Sequence, residues 1–79
     1  IVDDEAPARA RLRELLGDIA GDVPTSVLGE AENGLDALDF IEREAPDVAL
    51  IDIRMPKMGG LELAQHLAHL PKPPAIVFT

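Results

Sequence analysis

The stretch Pro46-Asp47-Val48-Ala49-Leu50-Ile51-Asp52-Ile53-Arg54-Met55-Pro56 decides how the rest of the chain is read. Four consecutive apolar residues, Val48 to Ile51, run into a single acid at Asp52 and then into a loop carrying Pro56 and two glycines, Gly59 and Gly60. A short, uninterrupted apolar run is the pattern of a strand buried on both faces of a parallel sheet, with crossover helices covering the two sides. An acid bordering such a run is costly unless it is paired, so Asp52 is the first candidate functional residue.

Upstream, Asn33-Gly34 opens a helix with Asn33 as its N-cap. Leu38, Ile41 and Ala45 mark the buried stripe of that helix, with Leu35 or Ala37 and Phe40 on the flanks, and Pro46 ends it. Val27-Leu28-Gly29-Glu30-Ala31 reads as a short strand. Before it, Pro7 suits the first turn of a helix, where its missing N–H costs nothing. Ala8, Leu12, Leu15, Leu16 and Ile19 share one face of that helix, and Gly21 is its expected stop. Arg9, Arg11 and Arg13 sit mostly off that face and read as a solvated run. Ile1-Val2 is an apolar stub that runs into Asp3-Asp4-Glu5. Downstream, Leu61, Leu63, Ala64, Leu67 and Leu70 predict a short helix broken by Pro71 and Pro73-Pro74, and Ala75-Ile76-Val77-Phe78 is the last strand. The order β-α-β-α-β-α-β predicts a parallel sheet with helices on both faces.

Composition narrows the function classes. The 79 residues are enough for one small domain, and 47% apolar content is enough for a core. The absence of cysteine excludes a disulfide scaffold and thiolate metal sites. No apolar run is long enough to cross a bilayer, so the expected compartment is the cytosol and no membrane partner is expected. A net charge of −8 repels phosphate backbones, and Phe40 and Phe78 alone make no base-stacking platform, so nucleic-acid contact is expected outside this segment. No G-x-G-x-x-G follows any strand, which removes a dinucleotide-binding reading. His66 and His69, three apart on the short helix, read as surface residues, and Met55 and Met58 as loop packing.

The acids fall at one end of the strands. Asp3 and Asp4 follow the first strand, Asp52 the third and Thr79 the fourth. In open α/β sheets the ligand site lies at the carboxyl edge of the strands, where strand order reverses. If the first strand pairs with the third and the third with the fourth, all four residues meet there. Like charges ~4 Å apart repel by roughly 4 kcal/mol at a surface-like dielectric, and a hard divalent cation relieves that repulsion. Mg2+ takes a few carboxylates together with waters and phosphate oxygens, and a carboxylate beside it can be a phosphoryl nucleophile.

At these residues the sequence resembles the receiver (phosphoacceptor) domains of two-component response regulators. Ile1-Val2-Asp3-Asp4-Glu5 is similar to their acidic-pair motif, and Pro46 through Pro56 to their phosphoacceptor strand and loop. Ala31-Glu32-Asn33-Gly34 and Gly60-Leu61-Glu62-Leu63 resemble the starts of their second and third helices. The resemblance spans the chain in register. It implies a flavodoxin-like doubly wound parallel sheet, with residues 1–79 forming one incomplete receiver domain whose effector domain lies elsewhere. It further implies that Asp52 accepts a phosphoryl group from a sensor histidine kinase, with Asp4 and Asp52 binding Mg2+ directly and Asp3 helping to hold it. The backbone carbonyl of Arg54 would complete the metal shell, and Thr79 would be the switch hydroxyl. A homodimer and a separate C-terminal DNA-binding domain that controls transcription belong to the same expectation. Asp3-Asp4-Glu5, Ala8-Arg9, Leu12, Leu70-Pro71 and Pro73 through Thr79 look like receivers joined to LytTR-type DNA-binding domains.

Two departures stand beside the resemblance. Gly59 stands where the family has an Asp helix cap. The chain opens on Ile1 and stops at Thr79, before the fifth strand and the active-site Lys that the family carries; a domain truncated at both ends, with its last third missing and the edge of its fourth strand exposed, is expected. The leading reading is a signalling switch and not an enzyme. A phosphatase of the haloacid dehalogenase type wants a second Asp two residues after its nucleophile, and that position is Arg54. A pseudo-receiver that only dimerises is the alternative; intact Asp3, Asp4, Asp52 and Thr79 speak against it.

Overall fold

The computed structural model describes all residues from Ile1 to Thr79. Its regular elements, in chain order, are helix α1 (Ala6–Asp18), helix α2 (Gly34–Glu44), strand β1 (Val48–Ile51), helix α3 (Gly60–Leu67) and strand β2 (Ala75–Phe78). β1 and β2 pair in parallel, Val48 opposite Ala75 and Ile51 opposite Phe78. Val2 widens the sheet by single parallel bridges on both its sides, to Ile51 and to Ala31. The lateral order is therefore Ala31, Val2, β1, β2. The first predicted strand pairs with the third and the third with the fourth, as expected, and the chain reverses its direction of travel across the sheet between Val2 and β1. No helix is long and apolar enough to cross a membrane.

Local chemistry explains where the helices begin. The Glu5 N–H ahead of α1 donates to Asp3 Oδ1 at 2.9 Å, and Pro7 sits in the first turn. At α2, Asn33 Oδ1 accepts from the Asp36 N–H at 2.9 Å, and Asn33 Nδ2 donates back to Asp36 Oδ2 at 3.0 Å. Gly59 supplies no side-chain cap to α3; instead the Gly60 N–H reaches the Ile53 carbonyl at 2.9 Å. The core joins Val2, Ala49 and Ile51 of the sheet to Ala37 and Ile41 of α2, Leu63 and Leu67 of α3, and Met58 of the loop. Ile51, Leu63 and Leu67 are fully buried; burying each such side chain stabilises the fold by about 1.5–3 kcal/mol.

Several expectations need correction. The strand over Val27–Ala31 shrinks to the bridge at Ala31, where Gly29 and Ala31 still exchange backbone hydrogen bonds with Ile1 and Asp3. α1 ends at Asp18, before Gly21, and runs out into hydrogen-bonded turns in which the Asp22 and Val23 N–H groups both reach the Ile19 carbonyl. The stripe of α1 is only partly used: Ala8, Leu12 and Leu16 are half-buried, while Leu15 and Ile19 are exposed. Periodicity marks which face of a helix is apolar, not how much sheet lies beneath it. β1 is not buried on both sides either: Ala49 and Ile51 are buried on the side of α2 and α3, whereas Val48 is 51% exposed and Val77 of β2, opposite Leu50, is 49% exposed.

Ala45, expected in the buried stripe of α2, is exposed and instead turns the chain at the helix end with φ 46°. An L-residue pays about 1–2 kcal/mol in this left-handed region, and Gly pays about 0.4–1 kcal/mol more in unfolded-state entropy than Ala. Ala45→Gly should therefore raise stability by roughly 0.5 kcal/mol, read as a higher urea midpoint; a lowered midpoint would show that the turn carries no strain.

Candidate functional site

Two hydrogen bonds bring the acids together. The Val2 N–H donates to the Leu50 carbonyl at 2.7 Å, and the Asp52 N–H donates to the Val2 carbonyl at 2.8 Å. Asp3 is thereby laid beside Asp52 at the carboxyl edge of the sheet, at the point where strand order reverses. Asp3, Asp4 and Asp52 each present a carboxylate oxygen, and these oxygens lie within 4.8 Å of one another. Asp3 is buried, Asp52 half-buried and Asp4 exposed, so the cluster has a closed back and an open front.

Hydrogen bonds aim part of the cluster. Asp52 Oδ1 accepts from the Arg54 N–H at 3.1 Å, so the carboxylate is turned over the first residues of its own loop. Asp3 Oδ1 is held by the Glu5 N–H. The Thr79 N–H donates to the Ile51 carbonyl at 2.9 Å, which sets Thr79 at the same edge, next to Asp52, with its residue exposed. Arg54 is exposed, and its side chain has no part in the acid cluster. An apolar groove of about 520 Å³, lined by Leu16, Val27, Phe40, Val48 and Leu50 among others, lies away from the acids and reaches Pro46 and Asp47 at the other end of β1. His66 and His69 are exposed, and Met58 is buried in the core, as the sequence indicates.

The arginine run of α1 is more than a solvated face. Arg9 Nε donates to Glu30 Oε1 at 3.0 Å, and Arg13 Nε pairs with Glu30 Oε2. Arg9 Nη1 also donates to the Asp3 carbonyl at 2.8 Å. The spacing of Arg9 and Arg13 one turn apart is the sequence signal that marks them as a pair; their acidic partner lies 17 to 21 residues away, where periodicity does not reach. The Arg13 guanidinium foremost, with help from Arg9, holds the Glu30 carboxyl below its ordinary pKa.

The loop after Asp52 leaves no room above it. A Cβ at Gly60 would lie 2.4 Å from the Asp52 carbonyl oxygen and 2.8 Å from the Ile53 Cα, both backbone atoms. Gly60→Ala must therefore displace the main chain of Asp52, and a loss of about 1–3 kcal/mol is expected; a urea midpoint equal to that of the parent would show that α3 can move aside. The Glu30 pairing has a pH signature. Because its pKa is lower in the folded state, the stabilisation is complete above the unfolded value and is lost as pH falls through the lower folded value. The melting-temperature gap between parent and Glu30→Gln should be constant near neutrality and close below about pH 4; a gap that persists unchanged in acid would mean that the Glu30 charge has no share in it.

The sequence matches the response regulator receiver domain family along residues 1–79. It is 46% identical over 79 residues to the positive alginate biosynthesis regulatory protein of Pseudomonas aeruginosa, covering 99% of this chain and 31% of that protein. It is 44% identical over 78 residues to an uncharacterized response regulatory protein of Vibrio cholerae, covering 99% of this chain and 29% of that protein. Among solved structures, the signal receiver domain of the response regulator NarL from Mycobacterium tuberculosis superposes with a TM-score of 0.85 at 32% identity, over 98% of this chain and 60% of that one. The chain thus spans under a third of these curated relatives and three fifths of that receiver structure. A match along the whole chain, in a fold that superposes on a receiver structure, means that this chain belongs to the family of response regulator receiver domains.

Proposed function

We propose that Asp52 is the phosphoacceptor of a two-component relay, taking its phosphoryl group from the phosphohistidine of a sensor histidine kinase. The observation that carries this reading is the convergence of the Asp3, Asp4 and Asp52 oxygens within 4.8 Å at the carboxyl edge of the sheet, beside Thr79. Asp52 is half-buried, which leaves a face open to an incoming donor. In the transfer, an Asp52 oxygen forms the new P–O bond as the P–N bond to the kinase imidazole breaks, and the electron pair of that bond stays on the imidazole nitrogen.

The donor set fits Mg2+: carboxylate oxygens only, few in number, and open on one side for water and phosphoryl oxygens. Asp4 and Asp52 would be direct ligands, Asp3 would act from behind through water, and the Arg54 backbone carbonyl would complete the protein ligands. Bound there, the ion supplies neutralisation of charge on the transferring phosphoryl group. Thr79, held by its backbone and not by its side chain, keeps a hydroxyl free to donate to a phosphoryl oxygen. Phosphorylation would then shift the population of an output surface.

Residues 1–79 serve in this reading as a signalling domain and not as an enzyme. The intact protein would act in the cytoplasm, in a homodimeric active form, and reach DNA through a separate C-terminal domain of LytTR type. The −8 charge of this segment argues that its own surface avoids nucleic acid.

Acetyl phosphate with Mg2+ should label the full-length protein, and Asp52→Asn should abolish labelling, because an amide is a far poorer nucleophile. Undiminished labelling of that variant would remove Asp52 from the role. In calorimetric titration Asp4→Ala should lose Mg2+ binding and Asp3→Ala should weaken it less; parental affinity in Asp4→Ala would place the ion elsewhere.

A further inference from the structure

We infer that Arg9, held by Glu30, is a positioning residue for the acid cluster: it fixes the peptide unit from which Asp4 projects. The inference rests on the reading of Asp3, Asp4 and Asp52 as a divalent-cation site, and deepens it.

Asp3 is constrained at every polar atom the structure pairs. Its N–H donates to the Ala31 carbonyl at 3.0 Å, its carboxylate accepts from the Glu5 N–H at 2.9 Å, and its carbonyl accepts from Arg9 Nη1 at 2.8 Å. Asp4 is exposed, and its side chain makes no hydrogen bond within the chain. Nothing therefore holds the Asp4 carboxylate except the direction in which its backbone leaves Asp3. The Asp3 carbonyl and the Asp4 N–H belong to one planar peptide unit. Gripping that carbonyl fixes the plane and with it the Asp4 N–Cα bond, and the Glu5 N–H held by Asp3 Oδ1 limits the remaining rotation about that bond, so the two together set the direction of the Asp4 Cα–Cβ bond.

The grip depends on the shape of the guanidinium. Arg9 uses Nη1 for the Asp3 carbonyl and Nε for Glu30, so one rigid fork ties the acidic loop to the segment that ends at Ala31. The bond from Arg9 to the Asp3 carbonyl is partly buried, which limits competition from water there, while the bond to Glu30 is exposed. Lysine carries the same charge but a single ammonium on a flexible stem, and cannot reproduce the fork. Arg13 shares Glu30 but makes no bond to Asp3, so it separates anchoring of the helix from positioning of the acids.

The test uses the full-length protein, with Mg2+ titrated by calorimetry and thermal melts run without Mg2+. Partners that orient metal ligands from behind typically change affinity by about 10–100-fold. Arg9→Ala and Arg9→Lys should each raise the Kd for Mg2+ by about 10-fold while still melting cooperatively. Glu30→Gln should raise it less, because the amide oxygen still accepts from Nε. Arg13→Ala should leave it unchanged. If Arg9→Ala does not fold, Arg9→Lys and Glu30→Gln decide. A parental Kd in Arg9→Lys would overturn the inference by showing that charge alone suffices. An Arg13→Ala loss as large as that of Arg9→Lys would overturn it by showing that only helix anchoring matters. Asp4→Ala separates the two readings: if it weakens Mg2+ binding and Arg9→Lys does not, this inference fails while the cation site stands, and if Asp4→Ala has no effect the cation site itself is misplaced.

Discussion

The parallel pairing of Val2 with the end of β1 is the constraint on which the site depends. It consists of two bonds, from the Val2 N–H to the Leu50 carbonyl and from the Asp52 N–H to the Val2 carbonyl. They link residues nearly fifty positions apart, and they determine that an acid after one apolar segment lies beside an acid after another. Side chains alternate along a strand, so a slip of one residue would turn Val2 out of the core and Asp3 away from Asp52 together. Burial of Val2 against the core that contains Ile51 is what makes the slipped register unfavourable. Apolar packing and the placement of charge are in this sense a single choice of register.

The chain then holds like charges close together, which opposes folding. The opposition is eased by placing the acids differently rather than alike. Asp3 is enclosed but hydrogen-bonded, Asp52 is half-buried and turned onto the Arg54 N–H, and Asp4 is left to water. Spreading the three acids over closed, half-open and open surroundings makes their closeness tolerable in the folded chain.

Much of this was legible in the sequence because short apolar runs and caps are local signals. The run Val48 to Ile51, the Asn33 cap, the Pro46 boundary and the helix through Leu63 and Leu67 all appear where their chemistry indicates. The edge that gathers Asp3, Asp4, Asp52 and Thr79 followed once the first strand was taken to pair with the third and the third with the fourth, as they do. What escaped was set by partners distant in sequence. Val27 and Leu28 have strand-forming side chains, but in their segment only Gly29 and Ala31 exchange backbone hydrogen bonds with the neighbouring Ile1 and Asp3. Leu15 and Ile19 have the helical spacing of core residues, but too little sheet lies beneath them. Ala45 continues the apolar period of α2, yet the coming proline disfavours another right-handed helical residue there, and Ala45 leaves the helix with left-handed backbone. Arg9 and Arg13 looked like a solvated face because Glu30, the residue that gathers them, belongs to another segment.

Gly60 gives the site a mechanical character. With no side chain between them, the first turn of α3 rests directly on the main chain of Asp52 and Ile53, and the Gly60 N–H is already committed to the Ile53 carbonyl. Farther along the same helix, Leu63 and Leu67 are locked into the core without a gap. The acid-bearing loop and α3 therefore meet backbone to backbone, like two gear teeth in contact, and a step of the Asp52 main chain toward the helix has α3 directly in its way.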